Sequence, residues 1–282
     1  MELQSAVERF SRLAVTLTDA DLDRPWSWGD YDEGVRFAFF RTYESLRDLA
    51  VTLADERRVA GLPQTTAQHI LAQYQSAFSD MEAVLLGVTD EQALQPPAEG
   101  EWPLRTVLRH FVEAEGTFFA ITYYALERAR LQDGRPLALS DEDWDALWAG
   151  DPYEALAESG SFSEILAYYR GLHERVLQAF ARISEAELDE PVVFWESQPM
   201  PVRFRLHRFE SHLRQHTIQM DKALVALGLA SGEARRLIRM LYAGLAEVQG
   251  LLIGTGQFGV HASAELAAEI DRRTDEIEAI LQ

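Results

Sequence analysis

The chain has 282 residues and a mass of 31.9 kDa, and 47% of its residues are apolar, so it can bury a sizeable core in one or two domains. Its 26 Lys and Arg face 46 Asp and Glu, a formal net charge of −20. That balance excludes the basic face that nucleic acids and anionic membrane surfaces require. It has no cysteine, which excludes disulfides, thiolate zinc sites, iron–sulfur clusters and a cysteine nucleophile, and fits a cytoplasmic setting. The N-terminus, MELQSAVERF, is charged and amphipathic, unlike a signal peptide, and no apolar run approaches the ~20 residues that span a bilayer.

In chain order, apolar spacings of three and four predict helices almost throughout. The first covers Leu3–Leu17 and the second Glu33–Arg58, ended by Gly61-Leu62-Pro63. A third runs over 66–86. A fourth starts at Pro103, whose missing N–H suits a first turn, and continues to Leu131. Residues 132–160 are irregular, with a short helix after Ser140. Ser161–Ile183 forms the next long helix, and Pro191–Pro201 is extended enough to close as a small hairpin. A helix over 202–227 follows, and two more at 232–250 and 262–281. The Gly254–Gly259 stretch between those two has no preceding strand and no phosphate-binding pattern, and reads as a helix–helix turn.

A weak repeat punctuates this series. Leu17-Thr18-Asp19 with Pro25, Val88-Thr89-Asp90 with Pro96, and Ile183-Ser184-Glu185 with Pro191 each end one helix, offer a Ser/Thr cap and precede a new long helix. An even number of long helices joined in this way predicts a bundle.

The chemistry rests on histidines, of which there are seven. His212 and His216 stand four apart on one helix, a spacing that stacks two imidazoles within reach of one ion. Random placement would give such a pair in roughly one chain in six, so a third ligand from another helix is required. His110 is the best candidate, because Val107, Phe111, Ala114 and Phe118 mark the buried side of its helix. His69, His173, His207 and His261 read as surface or locally hydrogen-bonded residues. Arg203, Arg205, Arg208 and Arg214 stand on the His212 helix, where they either face an anionic substrate or pair with the surplus acids.

The run from Glu101-Trp102-Pro103 through His110 to Glu113-Ala114-Glu115 resembles the second-helix signature of the DinB/YfiT-like metalloprotein superfamily, and Arg208–His216 resembles its fourth-helix HxxxH. The resemblance covers 66–228. It implies an all-α DinB-like four-helix bundle with a long second-to-third connection, and His110, His212 and His216 as ligands of a divalent metal ion. Zinc and nickel head the candidates, with iron and manganese compatible. Three neutral imidazoles leave an open position where water could be acidified. Glu113, one turn from His110, is the candidate catalytic residue, able to orient that ring or a bound water; its other reading is a solvated acidic face. Glu115 is less favoured by helical angle. The iron-dependent sulfoxide-synthase branch extends the motif to HxxxHxE, but residue 218 here is Ile.

Two functions follow as expectations. One is a metal-dependent transferase or hydrolase acting on a small molecule, with a low-molecular-weight thiol as a possible cofactor. The other is a non-catalytic ligand-binding or stress-response protein with a structural metal site. Segments 1–62 and 230–282 are expected as helical additions packed on the bundle. Phe37, Phe39, Phe40 and Tyr43 are too many aromatics for a solvated helix, and Leu237, Ile238, Leu241 and Leu245 form a matching stripe. These additions would pack together or form a homodimer interface.

Overall fold

The structure, a computed structural model, describes residues 2–196, 198–229 and 232–282. Met1, Ser197 in the expected hairpin loop, and Ala230, where the C-terminal segment is expected to begin, lie outside the described residues. In chain order the elements are α1 (Glu2–Val15), α2 (Asp19–Leu22), β1 (Ser27–Trp28), β2 (Tyr31–Asp32), α3 (Val35–Val59), α4 (Thr66–Leu85), α5 (Asp90–Ala93) and α6 (Leu104–Leu131). Then come α7 (Asp141–Leu147), α8 (Tyr153–Ser159), α9 (Phe162–Phe180), a 3₁₀ turn (Glu187–Asp189), β3 (Pro191–Val192), β4 (Met200–Pro201), α10 (Val202–Ala226), α11 (Glu233–Leu252) and α12 (Val260–Leu281). The fold is all-α. The strands form only two antiparallel two-stranded ribbons among the described residues, and no helix among them is long and apolar enough to cross a membrane.

The repeated cap motif has a physical basis. Thr18 and Thr89 each open a one-turn helix with a capping box, closed by Asp21 and Gln92 respectively. Ser184 accepts from the backbone N–H of Glu187, whose carboxylate in turn accepts from the Ser184 N–H. Each cap satisfies the free amides of a tight turn before the next long helix. The expected hairpin at 191–201 is the β3–β4 ribbon, with Pro191 opposite Pro201.

The chain divides into two compact units. The first comprises residues 1–64, 75–87 and 224–282. In it α3 packs on α11 and α12, and α1 packs on α12 and α11, so the helices added at the two ends of the chain do pack together. Phe10 stacks on Phe39 with ring centroids 4.7 Å apart. Around them Leu46, Leu53, Ile238, Leu241, Ile270 and Ile277 are fully or almost fully buried. Gly244 lets α11 approach α3 closely, since a Cβ there would meet Tyr43 at 3.1 Å and Leu46 at 3.2 Å. Arg9 on α1 pairs with Asp271, Asp275 and Glu278 on α12.

The second unit comprises residues 65–74 and 88–223. Its long helices are the first half of α4, then α6, α9 and α10, in the order the bundle resemblance implies. Phe111 stacks on Tyr169 at 5.6 Å, Phe119 meets Phe180 at 5.4 Å and Phe118 meets Phe209 at 5.7 Å. Two arginines of α6 anchor the irregular connection. Arg105 donates to the carbonyls of Ala157 and Gly160 at the end of α8, and Arg128 donates to the Pro136 carbonyl at the start of the connection as well as to the Pro191 carbonyl in β3.

Candidate metal centre

His110 sits on α6 six residues past its first residue, Leu104, and His212 and His216 sit one turn apart on α10. The residues around His110 explain its inward placement. Val107 and Phe111 are fully buried, so the ring between them lies along the edge of the core, half-buried. The two helices bring the three imidazoles together. His110 Nε2 and His212 Nε2 are 3.1 Å apart, and one ligand nitrogen from each of the three rings falls within 4.8 Å of the others. A tetrahedral ion with about 2.0–2.1 Å bonds holds its nitrogens about 3.3 Å apart, against 3.1 Å for the closest pair and no more than 4.8 Å across the set.

The hydrogen bonds of His216 and the surroundings of His212 bear on which ring nitrogen can face an ion. With Nδ1 protonated, His216 donates to Gln219 Oε1 at 2.8 Å, which leaves its Nε2 lone pair free. His212 Nδ1 is buried without a hydrogen-bond partner, and Glu115 Oε1 lies 3.9 Å from it. Once an ion holds Nε2, an Nδ1 proton there faces a carboxylate, the usual partner of a metal-bound imidazole. Burial lowers the pKa of all three histidines, that of His212 to about 4, aided by the nearby Arg208 charge. The rings are therefore neutral near pH 7, the form that binds metal. These observations fit the group: the three histidines could hold a metal ion.

Beneath the triad lies a buried polar layer. Glu115 is fully buried and accepts a 2.5 Å hydrogen bond from Tyr74 Oη. Burial pushes its pKa up to about 8, opposed by hydrogen bonds from Tyr74 and Tyr169. His173 packs on Tyr74 with ring centroids 4.5 Å apart, and burial pulls its pKa down to about 3.

The other sequence candidates separate clearly. Glu113 is exposed, pairs with Arg109 at 3.3 Å and accepts from Tyr153 Oη at 3.2 Å. The carboxylate next to the triad is Glu115, which shares a face with Phe111 and Phe118. An acid inside that apolar stripe is the signal that could have found it. His69, His207 and His261 are exposed, and His261 pairs with Glu265. His173 departs from the surface reading. It is only 3% exposed, because it lies one turn beyond Tyr169 on the inner face of α9. Arg203, Arg205 and Arg214 pair with Glu185, Glu196 and Glu210. Arg208 makes no ion pair among the described residues and lies over the Phe118 ring, which itself meets His212 edge-on.

An all-helical protein with three histidines converging from two helices of a bundle is the class that this fold and site define. The sequence model of the DinB superfamily matches residues 73–220, just over half of the chain, and the chain belongs to that superfamily. No curated protein and no solved structure matches it.

Proposed function

We propose that the protein is a divalent-metal-dependent enzyme acting on a small molecule, a transferase or hydrolase in which a low-molecular-weight thiol is the candidate co-substrate. The observation that carries this reading is the convergence of His110, His212 and His216, one ring nitrogen of each lying within 4.8 Å of the others. A divalent ion held there would supply Lewis acidity, lowering the pKa of a thiol or water in its open position.

The surrounding residues support the same role. Gln219 and Glu115 orient two of the three rings. Phe111 and Phe118 wall the triad with apolar surface, which limits water and strengthens electrostatic interactions. Arg208, which makes no ion pair among the described residues and lies over Phe118 beside His212, is placed to attract an anionic group of a substrate. Glu113 reaches the triad only through its charge, which raises the His110 pKa slightly against burial; its bonds to Arg109 and Tyr153 suit a role in placing α8.

The test is metal analysis of the purified protein, followed by assays of thiol conjugation and of hydrolysis. One ion per chain is expected in the wild type. His212→Ala should lose it while keeping the helical circular-dichroism spectrum, since two imidazoles rarely retain an ion that three hold. A His212→Ala protein that keeps stoichiometric metal would place the ion elsewhere. A loaded protein inactive in every such assay would favour a binding protein with a structural ion.

A further inference from the structure

The second unit contains a cavity of about 510 Å³ whose lining includes none of the three histidines. Its floor is α6 at Val112 and Gly116, one side is α9, and the cover is the α7–α8 connection. Four aromatic rings form much of the wall. Trp144 and Trp148 sit 6.0 Å apart at 54°, and Tyr153 and Tyr168 sit 5.4 Å apart at 34°. All four are half-buried, so each shows ring surface outside the packed core. Gly116 keeps the floor low, since a Cβ there would already touch the Trp148 ring at 3.7 Å.

The charge at this cavity is of one sign. Glu113, Asp145, Asp151 and Glu154 line it, and no Lys, Arg or His does. Two of these acids are engaged. Glu113 pairs with Arg109, and Asp151 accepts from Tyr168 Oη at 2.8 Å and from the Tyr153 backbone N–H at 2.9 Å. Asp145 and Glu154 make no hydrogen bond or ion pair among the described residues. Two carboxylates without partners at the mouth of an aromatic-walled cavity attract a cation and disfavour an anion. An indole face is the strongest of the natural cation–π partners. Trp148 shows this internally, since the Arg175 guanidinium lies 5.0 Å from its ring centroid. Arg175 does not line the cavity, so the side chains that line it carry only negative charge.

We infer that this cavity is a binding site for a small organic cation, an alkylammonium or quaternary ammonium group, held against Trp144, Trp148, Tyr153 and Tyr168 and drawn in by Asp145 and Glu154. The inference is independent of the metal reading, because neither the ion nor its ligands line the cavity.

Isothermal titration calorimetry of the full chain tests it, with choline as the cationic probe and 3,3-dimethylbutan-1-ol as its neutral isostere. Choline should bind saturably at one site per chain with a millimolar or lower dissociation constant, and the alcohol at least about fivefold more weakly, the size of one solvent-exposed cation–π contact. Asp145→Asn combined with Glu154→Gln changes only exposed side chains, so the fold is retained, and it should weaken choline about fivefold or more. Trp144→Leu should weaken it by a similar factor while leaving the thermal midpoint close to wild type. No saturable heat at about 20 mM choline would overturn the proposal. Equal binding of the alcohol would also overturn it, by showing an apolar cavity with no charge preference. Choline binding unchanged in both variants would place the site elsewhere and overturn it as well.

Discussion

Among the single residues, Glu115 carries the most consequence. A fully buried carboxyl 3.9 Å from the Nδ1 of a candidate ligand is unfavourable for folding alone, which is why its pKa is pushed up. An ion on the histidines would offset that cost by favouring the carboxylate. Glu115→Gln keeps the shape and the Tyr74 contact but loses the charge. It should weaken metal binding about 10- to 100-fold, read by competition against a chromogenic chelator; unchanged affinity would show that Glu115 does not orient His212. His173 governs a different property. Its pKa in the folded protein, about 3, lies below the ordinary 6.5, so between those values the unfolded chain binds more protons. Stability is therefore lost as pH falls from about 6.5 toward 3, at no more than about 1.4 kcal/mol per pH unit from this group. His173→Phe should flatten that slope in denaturant titrations of the metal-free protein, and an unchanged slope would assign the acid sensitivity to other groups.

At the level of elements, an ion pair and a glycine set where two long helices begin. Arg205 is fully buried in α10 and makes a bidentate pair with Glu196 in the β3–β4 loop. The geometry pins the loop to the start of the ligand-bearing helix. Removing the acid leaves a buried guanidinium without its counter-ion, so Glu196→Ala should destabilise by about 3 kcal/mol, measured as a lowered denaturant midpoint; a cost near zero would mean water replaces the carboxylate. In the other unit, Gly259 opens α12 with φ +71°, and a Cβ there would meet Leu53 and Leu252 at 2.8 Å. Those leucine ends can yield, but the left-handed backbone cannot be relieved. Gly259→Ala should cost about 1–2 kcal/mol.

For the whole molecule, the first unit is assembled from both ends of the chain. α11 and α12 cover their apolar stripes with α3 and α1, more than 170 residues earlier in sequence. Removing residues 1–62 would expose Ile238, Leu241, Leu245, Ile270 and Ile277 together, a patch far larger than a soluble monomer tolerates. The truncated chain should be recovered aggregated or insoluble. A soluble monomer by size-exclusion chromatography would show that α11 and α12 find another cover.

Much of this was legible without coordinates, and the reason is range. Helix periodicity, the Thr18, Thr89 and Ser184 caps, and the His212–His216 spacing all operate within one or two turns, where residue order alone sets geometry. The ribbon at 191–201 follows from prolines and β-branched residues in the same local way. What joined His110 to that pair across about a hundred residues was the packing of α6 on α10, which no local rule supplies. Packing also chose Glu115 over Glu113 as the acid beside the triad and buried His173. It set residues 75–87, the second half of α4, into the unit formed by the chain ends. Sequence alone determined which faces are apolar and where the long helices lie to within a few residues, while the short α2, α5 and α8 were not read from it. Which faces meet, at what height and around which polar group, was decided by the tertiary structure, because burying an apolar stripe rewards any complementary surface and only the complete set of helices selects one.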